Sequence, residues 1–394
     1  MLFKHCRFAG ELTEGYGKES GDLRISGEFI QEIGKKLEPE EGEEVKDLSG
    51  KFLLPGLIDL HTHFAQWSDT SNYELLTLDP AEAAFRYYRH AMAFAAQGYT
   101  TVRDVGSDFR SANALSRAIR NGWIDGPRVF SCGLIVTPTE TGNQSFTGMY
   151  HEADGSEEIT KACREEYKKG ASFIKIMASG SFLNDGGVPS QPIVTPEELK
   201  AAVAVSQRKD GYVAAHVHSR DAIRMAVETG VRTLEHGSFM DDICIRELKE
   251  SGSSFVVPTL STIIFYDNND SSSGFIRAAS HKLNMKLQSF ENLRAGCEAG
   301  LKYGWGTDIP LDSWEKNPGL EFRMRKKYFG CSNTELLKQA TIYSAEAIGI
   351  DSLTGSVCAG KYADLIVVDQ DPRESLEAMF RKPLMVFCRG KRLF

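Results

Sequence analysis

Eight short apolar segments, each leading into a stretch with helical spacing or a helix cap, constrain the fold more than any other feature of this chain. They cover residues 57–63, 100–105, 128–134, 173–177, 212–217, 233–237, 255–260 and 303–308. Strands alternating with helices are the pattern of βαβ units and a parallel sheet. Eight such strands close a (β/α)8 TIM barrel, an α/β fold that takes about 250 residues or more as one domain. The helix signals fit the gaps. Thr195-Pro196-Glu197-Glu198 sets an N-cap threonine before a proline and a glutamate, which predicts a helix running toward Arg208. Asp79-Pro80 opens another over 81–97, stopped at Gly98.

Residues 1–53 hold short strands and turns, too few for a core of their own. Further strand candidates lie at 355–360, 363–368 and 384–388. The expected organisation is a small flanking β-sandwich built from both ends, 1–53 and 354–394, around a barrel at 54–353. Loops at 137–156, 178–194, 261–280 and 309–332 follow strands three, four, seven and eight, on the face where barrel active sites sit.

The formal net charge of −8 and the lack of a basic block exclude a general nucleic-acid binder. No apolar run approaches the roughly 18 residues of a membrane span, and no leader pattern opens the chain. The eight cysteines are scattered, without a CxxC pair, which points to a reducing cytoplasm.

Five strand ends carry metal-ligand side chains. Strand one offers His61 and His63, two residues apart and so on one face. Strand four offers Lys175, strand five His216 and His218, strand six His236, and strand eight Asp308. Strand ends on one barrel face converge, so these residues are expected to meet. Lys175, between Ile174 and Ile176, is expensive to bury charged. Burial lowers a lysine's pKa, and a neutral amine adds carbon dioxide to give a two-oxygen carbamate ligand; an ion pair with a barrel carboxylate is the alternative.

At these residues the chain resembles the amidohydrolase superfamily of the binuclear-metal type. Similar motifs run in order: Pro-Gly-Leu-Ile-Asp-Leu-His-Thr-His at 55–63, the Lys175 strand into Ala178-Ser179-Gly180, Ala-His-Val-His at 215–218, Leu-Glu-His-Gly at 234–237, Val-Pro-Thr-Leu at 257–260, Gly-Thr-Asp at 306–308, and Ala-Gly-Lys-Tyr-Ala-Asp-Leu-Ile-Val-Val at 359–368. The resemblance implies one metal held by His61, His63 and Asp308 and a second by His216 and His236, with carboxylated Lys175 and a hydroxide bridging them. The ions are expected to be zinc, although these ligand types suit manganese, iron or cobalt as well. Asp308 would move the proton from the nucleophile to the departing amine, and His218 would either contact substrate or stand at the rim without a role.

The motif details look most like the branch of imidazolonepropionase-like proteins, prolidase-like dipeptidases and metal-dependent carboxypeptidases. Hydrolysis of an amide in a dipeptide or an N-acyl or peptidyl amino acid is therefore the expected activity. Ring opening of a cyclic amide or lactone is the alternative. A non-catalytic scaffold is disfavoured, because all six ligand positions are filled. Retention of Lys175 argues against the mononuclear deaminases. Relatives often carry Gly-Gly-His-Gly after strand three, where this chain reads Thr137-Pro-Thr-Glu-Thr-Gly-Asn143; Glu140 there would either favour a cationic substrate group or simply face solvent. His5, His90, His151 and His281 belong to no motif, and of these His151 lies in a loop that could reach a ligand. The expected partner is a small amide or peptide; the resemblance allows a homo-oligomer, and no patch in the sequence fixes the oligomeric state.

Overall fold

The computed structural model describes residues 1–65, 79–182, 188–266 and 283–394. His281 and parts of the 178–194 and 261–280 loops lie outside the described residues. Five strands come first: β1 (Leu2–Phe8), β2 (Ser20–Ser26), β3 (Phe29–Gly34), β4 (Val45–Asp47) and β5 (Phe52–Pro55). The alternating units follow as β6 (Leu57–Thr62), α1 (Pro80–Ala96), β7 (Tyr99–Asp104), α2 (Ser111–Arg120), β8 (Arg128–Ser131), β9 (Ile135–Thr137), β10 (Tyr150–Glu152) and α3 (Gly155–Lys168). They continue through β11 (Ile174–Met177), α4 (Pro196–Gln207), β12 (Val213–Val217), α5 (Arg220–Thr229), β13 (Thr233–His236), α6 (Asp242–Ser251), β14 (Phe255–Val257), α7 (Leu283–Glu298) and α8 (Leu320–Phe329). The chain ends on β15 (Leu365–Val368), β16 (Met385–Cys388) and β17 (Lys391–Arg392).

Both chain ends share one sheet, in the order β17-β16-β15-β5-β1-β2-β3, with β4 beside β1. Side chains alternate faces along a strand, and here the two faces serve different cores. Leu53, Leu365, Val367 and Phe387 join Phe3, Phe8 and Leu23 inside the flanking β-sandwich. Phe52, Leu54, Ile366 and Val368 turn the other way and pack with Tyr87 and Phe94 of α1.

The (β/α)8 barrel is built from parallel ladders, β6-β7-β8 and β10-β9-β11-β12-β13-β14. Strand three, expected as one piece over 128–134, is divided. β8 pairs with β7 and β9 pairs with β11. The break is at Gly133, whose φ of +76° suits glycine and where a Cβ would stand 2.5 Å from Glu166 Oε2. Strand eight is an extended segment rather than a ladder. It is held by a bridge from Val256 to Tyr303 and closes the barrel through Leu60 N to Trp305 O (2.7 Å) and Asp308 N to His61 O (2.8 Å). A Cβ on Gly306 would lie 2.7 Å from the His61 Cβ, so glycine lets this segment run close against β6.

Helix starts follow their chemistry. Thr195 and Glu198 form a reciprocal capping box on α4, and Asp79 caps α1 by accepting from Ala81 N at 2.8 Å. No helix among the described residues is long and apolar enough to cross a membrane.

Candidate active site

The strand ends bring the expected side chains to one cavity. His61, His63, Lys175, His216, His218, His236 and Asp308 all line it, and each is buried. Ligand-type atoms of His216, His218 and His236 lie within 4.8 Å of one another, as do those of His61, His236 and Asp308. His236 therefore stands where the two groups meet. Asp308 Oδ1 is 3.7 Å from His61 Nε2 and 3.6 Å from His63 Nε2.

Four imidazoles are anchored through Nδ1, to Glu235 Oε2 (2.7 Å) for His61, the Gly106 carbonyl (2.6 Å) for His63, Ser238 Oγ (2.8 Å) for His218 and Thr259 Oγ1 (2.7 Å) for His236. Tying one ring nitrogen to the frame fixes ring orientation and leaves Nε2 for a ligand, the arrangement usual around metals. The His216 Nε2 is buried with no hydrogen-bond partner. A buried polar atom without a partner is costly unless something else satisfies it.

Burial pushes every imidazole toward the neutral form that donates a lone pair. His63 falls to about 4 and His216 to about 3, while His61, His218 and His236 fall well below the ordinary value. Burial also brings the Lys175 ammonium down to about 8, against the opposing pull of Glu235. Among the described residues Lys175 makes no salt bridge; the carboxylate that would pair with it is taken. Glu235 is bonded by Arg103 Nη2 (2.6 Å), Thr233 Oγ1 (2.7 Å) and His61. Although burial alone would raise the Glu235 pKa, Arg103 and His61 hold it well below the usual carboxylate range.

Three residues that the sequence analysis did not single out support this frame. Arg103, fully buried, also donates to the Leu60 carbonyl (2.5 Å) and to Thr233 (2.9 Å), fixing β6 to β13 from within. Asp59 accepts from His61 N (2.9 Å) and Thr307 Oγ1 (2.8 Å), tying strand one to strand eight. Lys286, on α7, lines the cavity and is likewise brought to about 8 by burial. Arg103 had a visible signal, a charge inside an apolar strand like that of Lys175. Lys286 had one too, as a lysine in register with the buried Phe290 and Leu293 of its helix. His236 and Asp308 adopt positive φ, +72° and +54°, and such uncommon non-glycine backbone concentrates at functional sites.

Glu140 is not among the cavity's lining residues. Its carboxylate accepts from Thr141 N in its own loop (2.8 Å), so the anionic contribution expected from it is not made at this cavity. The strand-three side of the cavity presents Ile135, Phe146, Met149 and Tyr150 instead. His151 pairs with Glu166 (2.9 Å), which also binds Arg110 and Leu134 N, an internal cluster beside the split strand. His5 pairs with Asp47 at the surface (2.9 Å), and His90 is buried beside Phe64.

The sequence matches that of the Amidohydrolase family over residues 52–393. Ochratoxinase of Aspergillus niger is 29% identical over 98% of this chain and 86% of its own length. A prolidase solved with N-methylphosphonate-L-proline superposes with a TM-score of 0.86 at 28% identity, covering 100% of this chain and 98% of the other. A Xaa-Pro dipeptidase with methionine in its active site gives 0.87 at 26% identity, covering 99% and 98%.

Proposed function

This chain belongs to the Amidohydrolase family and is a hydrolase of carbon–nitrogen amide bonds, and we propose that its substrates are dipeptides or N-acyl and peptidyl amino acids. The observation that carries this reading is the set of neutral imidazoles, each buried, with the His216 Nε2 left without a partner beside His218 and His236. That donor set fits divalent cations. Support for the substrate class comes from the relatives, one a prolidase holding a proline phosphonate and one a dipeptidase holding an amino acid.

In this reading His61, His63 and Asp308 would hold one ion and His216 and His236 a second, and Lys175, once carboxylated, would add an anionic ligand. Such ions, zinc being the first candidate, lower the pKa of a water toward about 7 and polarise a carbonyl. The chain's own residues do the remainder. Asp308 accepts a proton from the attacking water and returns it to the amide nitrogen as the carbon–nitrogen bond breaks, so the amine leaves neutral. Glu235, held ionised by Arg103, keeps the His61 ring in the tautomer that presents Nε2. His218, fixed by Ser238 and by Ser179 Oγ on its backbone N (2.8 Å), contacts the substrate. Buried walls of Ile135, Met177 and Phe182 exclude bulk water.

The test is elemental analysis of the purified protein with a hydrolysis screen over dipeptides and N-acyl amino acids. Two ions per chain and release of one class of amino acid are expected. Two ions with cleavage of cyclic amides alone would overturn the substrate class, and less than one ion per chain would overturn the metal assignment.

A further inference from the structure

Lys286 is a lysine where a helix of this kind carries an apolar residue. Positions 286, 290 and 293 fall on one face of α7, and Phe290 and Leu293 there are 1% and 2% exposed. Lys286 is 4% exposed, yet its side chain reaches the cavity wall. Among the described residues no carboxylate lies within ion-pair distance of its ammonium, and its neighbour is the Phe290 ring, 5.4 Å from Nζ to the ring centre. A buried cation without a counter-charge is a costly arrangement.

Asp308 and Glu321 pull on this ammonium from a distance, against the larger effect of burial, and neither makes an ion pair with it. Asp308 is the one carboxylate among the described lining residues, and the proposed function commits it to metal and proton transfer. Lys286 also lies across the mouth from the apolar side. It follows strand seven, whereas Ile135, Phe146, Met149 and Tyr150 follow or belong to strand three, and in an eight-stranded barrel those two strands face each other.

We propose that Lys286 anchors the free carboxylate of the substrate's amino-acid half, and that the acyl half lies against the apolar residues of the strand-three side. This rests on the amide-hydrolase reading of the same cavity and adds to it a direction. The scissile carbonyl sits over the histidines, the departing amino acid points toward α7, and an aromatic or branched apolar acyl group faces Phe146 and Tyr150, which already stack on each other at 5.2 Å. An ammonium on a flexible stem suits a carboxylate that moves as the amine departs.

The test uses N-benzoyl-L-phenylalanine and its C-terminal amide, N-benzoyl-L-phenylalaninamide, with benzoate release followed for the metal-loaded wild type, K286M and K286R. Wild type is expected to prefer the acid. In K286M the acid-to-amide ratio of kcat/KM should shrink by roughly ten- to a hundredfold, mostly through KM, the range for losing one hydrogen bond to a charged group. K286R should keep most of the preference. A K286M ratio equal to that of wild type, or equal losses on both compounds, would overturn the assignment, the second by pointing to the carbonyl rather than the carboxylate. Should wild type cleave neither compound, the substrate class fails separately, and Lys286 is judged by calorimetric titration with N-benzoyl-L-phenylalanine. Binding at least about tenfold tighter to wild type than to K286M supports the anchor, and equal or undetectable binding in both overturns it.

Discussion

The inside of the β-sandwich and the mouth of the barrel are both buried, but they are filled differently. Phe3, Phe8, Leu23, Leu53, Val367 and Phe387 make the first an apolar core. In the second, His61, His63, Arg103, Lys175, His216, Glu235, His236 and Asp308 are all buried. The sandwich gains from burial alone. At the mouth, burial is spent on holding neutral imidazoles, an ionised glutamate and a depressed lysine in fixed positions. Substitutions in the sandwich should therefore change stability without touching turnover, and those at the mouth should change turnover out of proportion to stability.

The sharpest separation is expected from Asp308→Asn, which keeps shape and removes the proton acceptor proposed above. Turnover should fall by about 10²–10⁴-fold, the usual worth of general acid–base catalysis, with the thermal midpoint within a few degrees of wild type; near-normal turnover would break the comparison. Next in size is a matched pair. Phe387→Ala should cost about 3–5 kcal/mol in denaturant unfolding and leave kcat/KM intact below the transition. Arg103→Met should cost about as much, because Glu235 is left charged and unpaired, and should also lower metal content by loosening His61. Equal effects of the two on metal content would erase the distinction.

A smaller effect concerns acid. The His216 pKa is about 3 in the folded protein and about 6.5 in an unfolded chain. Between those values the unfolded state binds the proton first, so stability is fully present above pH 6.5 and declines as pH falls. In metal-free protein this residue alone should remove about 2 kcal/mol between pH 7.5 and 5. His216→Asn should lose correspondingly less over that interval by calorimetry, and an identical decline would remove the burial argument. The smallest effect is expected for Glu140→Gln, less than about twofold in preference between basic and neutral side chains, since its carboxylate serves its own loop.

The barrel was legible because apolar runs and helix caps are local signals. Thr195 with Glu198 and Asp79 with Pro80 announced helices that form where expected. Strand three was not legible as two pieces, since its break depends on Glu166, a residue of α3 brought against Gly133. At the mouth, the side chains named from strand ends meet in one cavity because convergence is a property of the barrel. Glu235 escaped notice for a backbone reason. Strict alternation puts it on the face opposite His236, but the positive φ of His236 re-aims that residue, and both reach the interior. Glu140 stayed open between two readings because loop position says nothing of where a carboxylate turns, and Lys286 was missed because a lysine on a helix is ordinarily a solvated charge.

The sheet shared by the two chain ends sets a schedule. During synthesis β5 leaves the ribosome early, with one edge facing nothing, and β15 arrives only after every strand of the barrel has been made. Phe52 and Leu54 must wait beside α1 for Ile366 and Val368 to cover them. Arrival of β15, rather than completion of the last barrel strand, is thus the step that closes this sheet, and until then the edge of β5 stays unpaired and open to wrong partners.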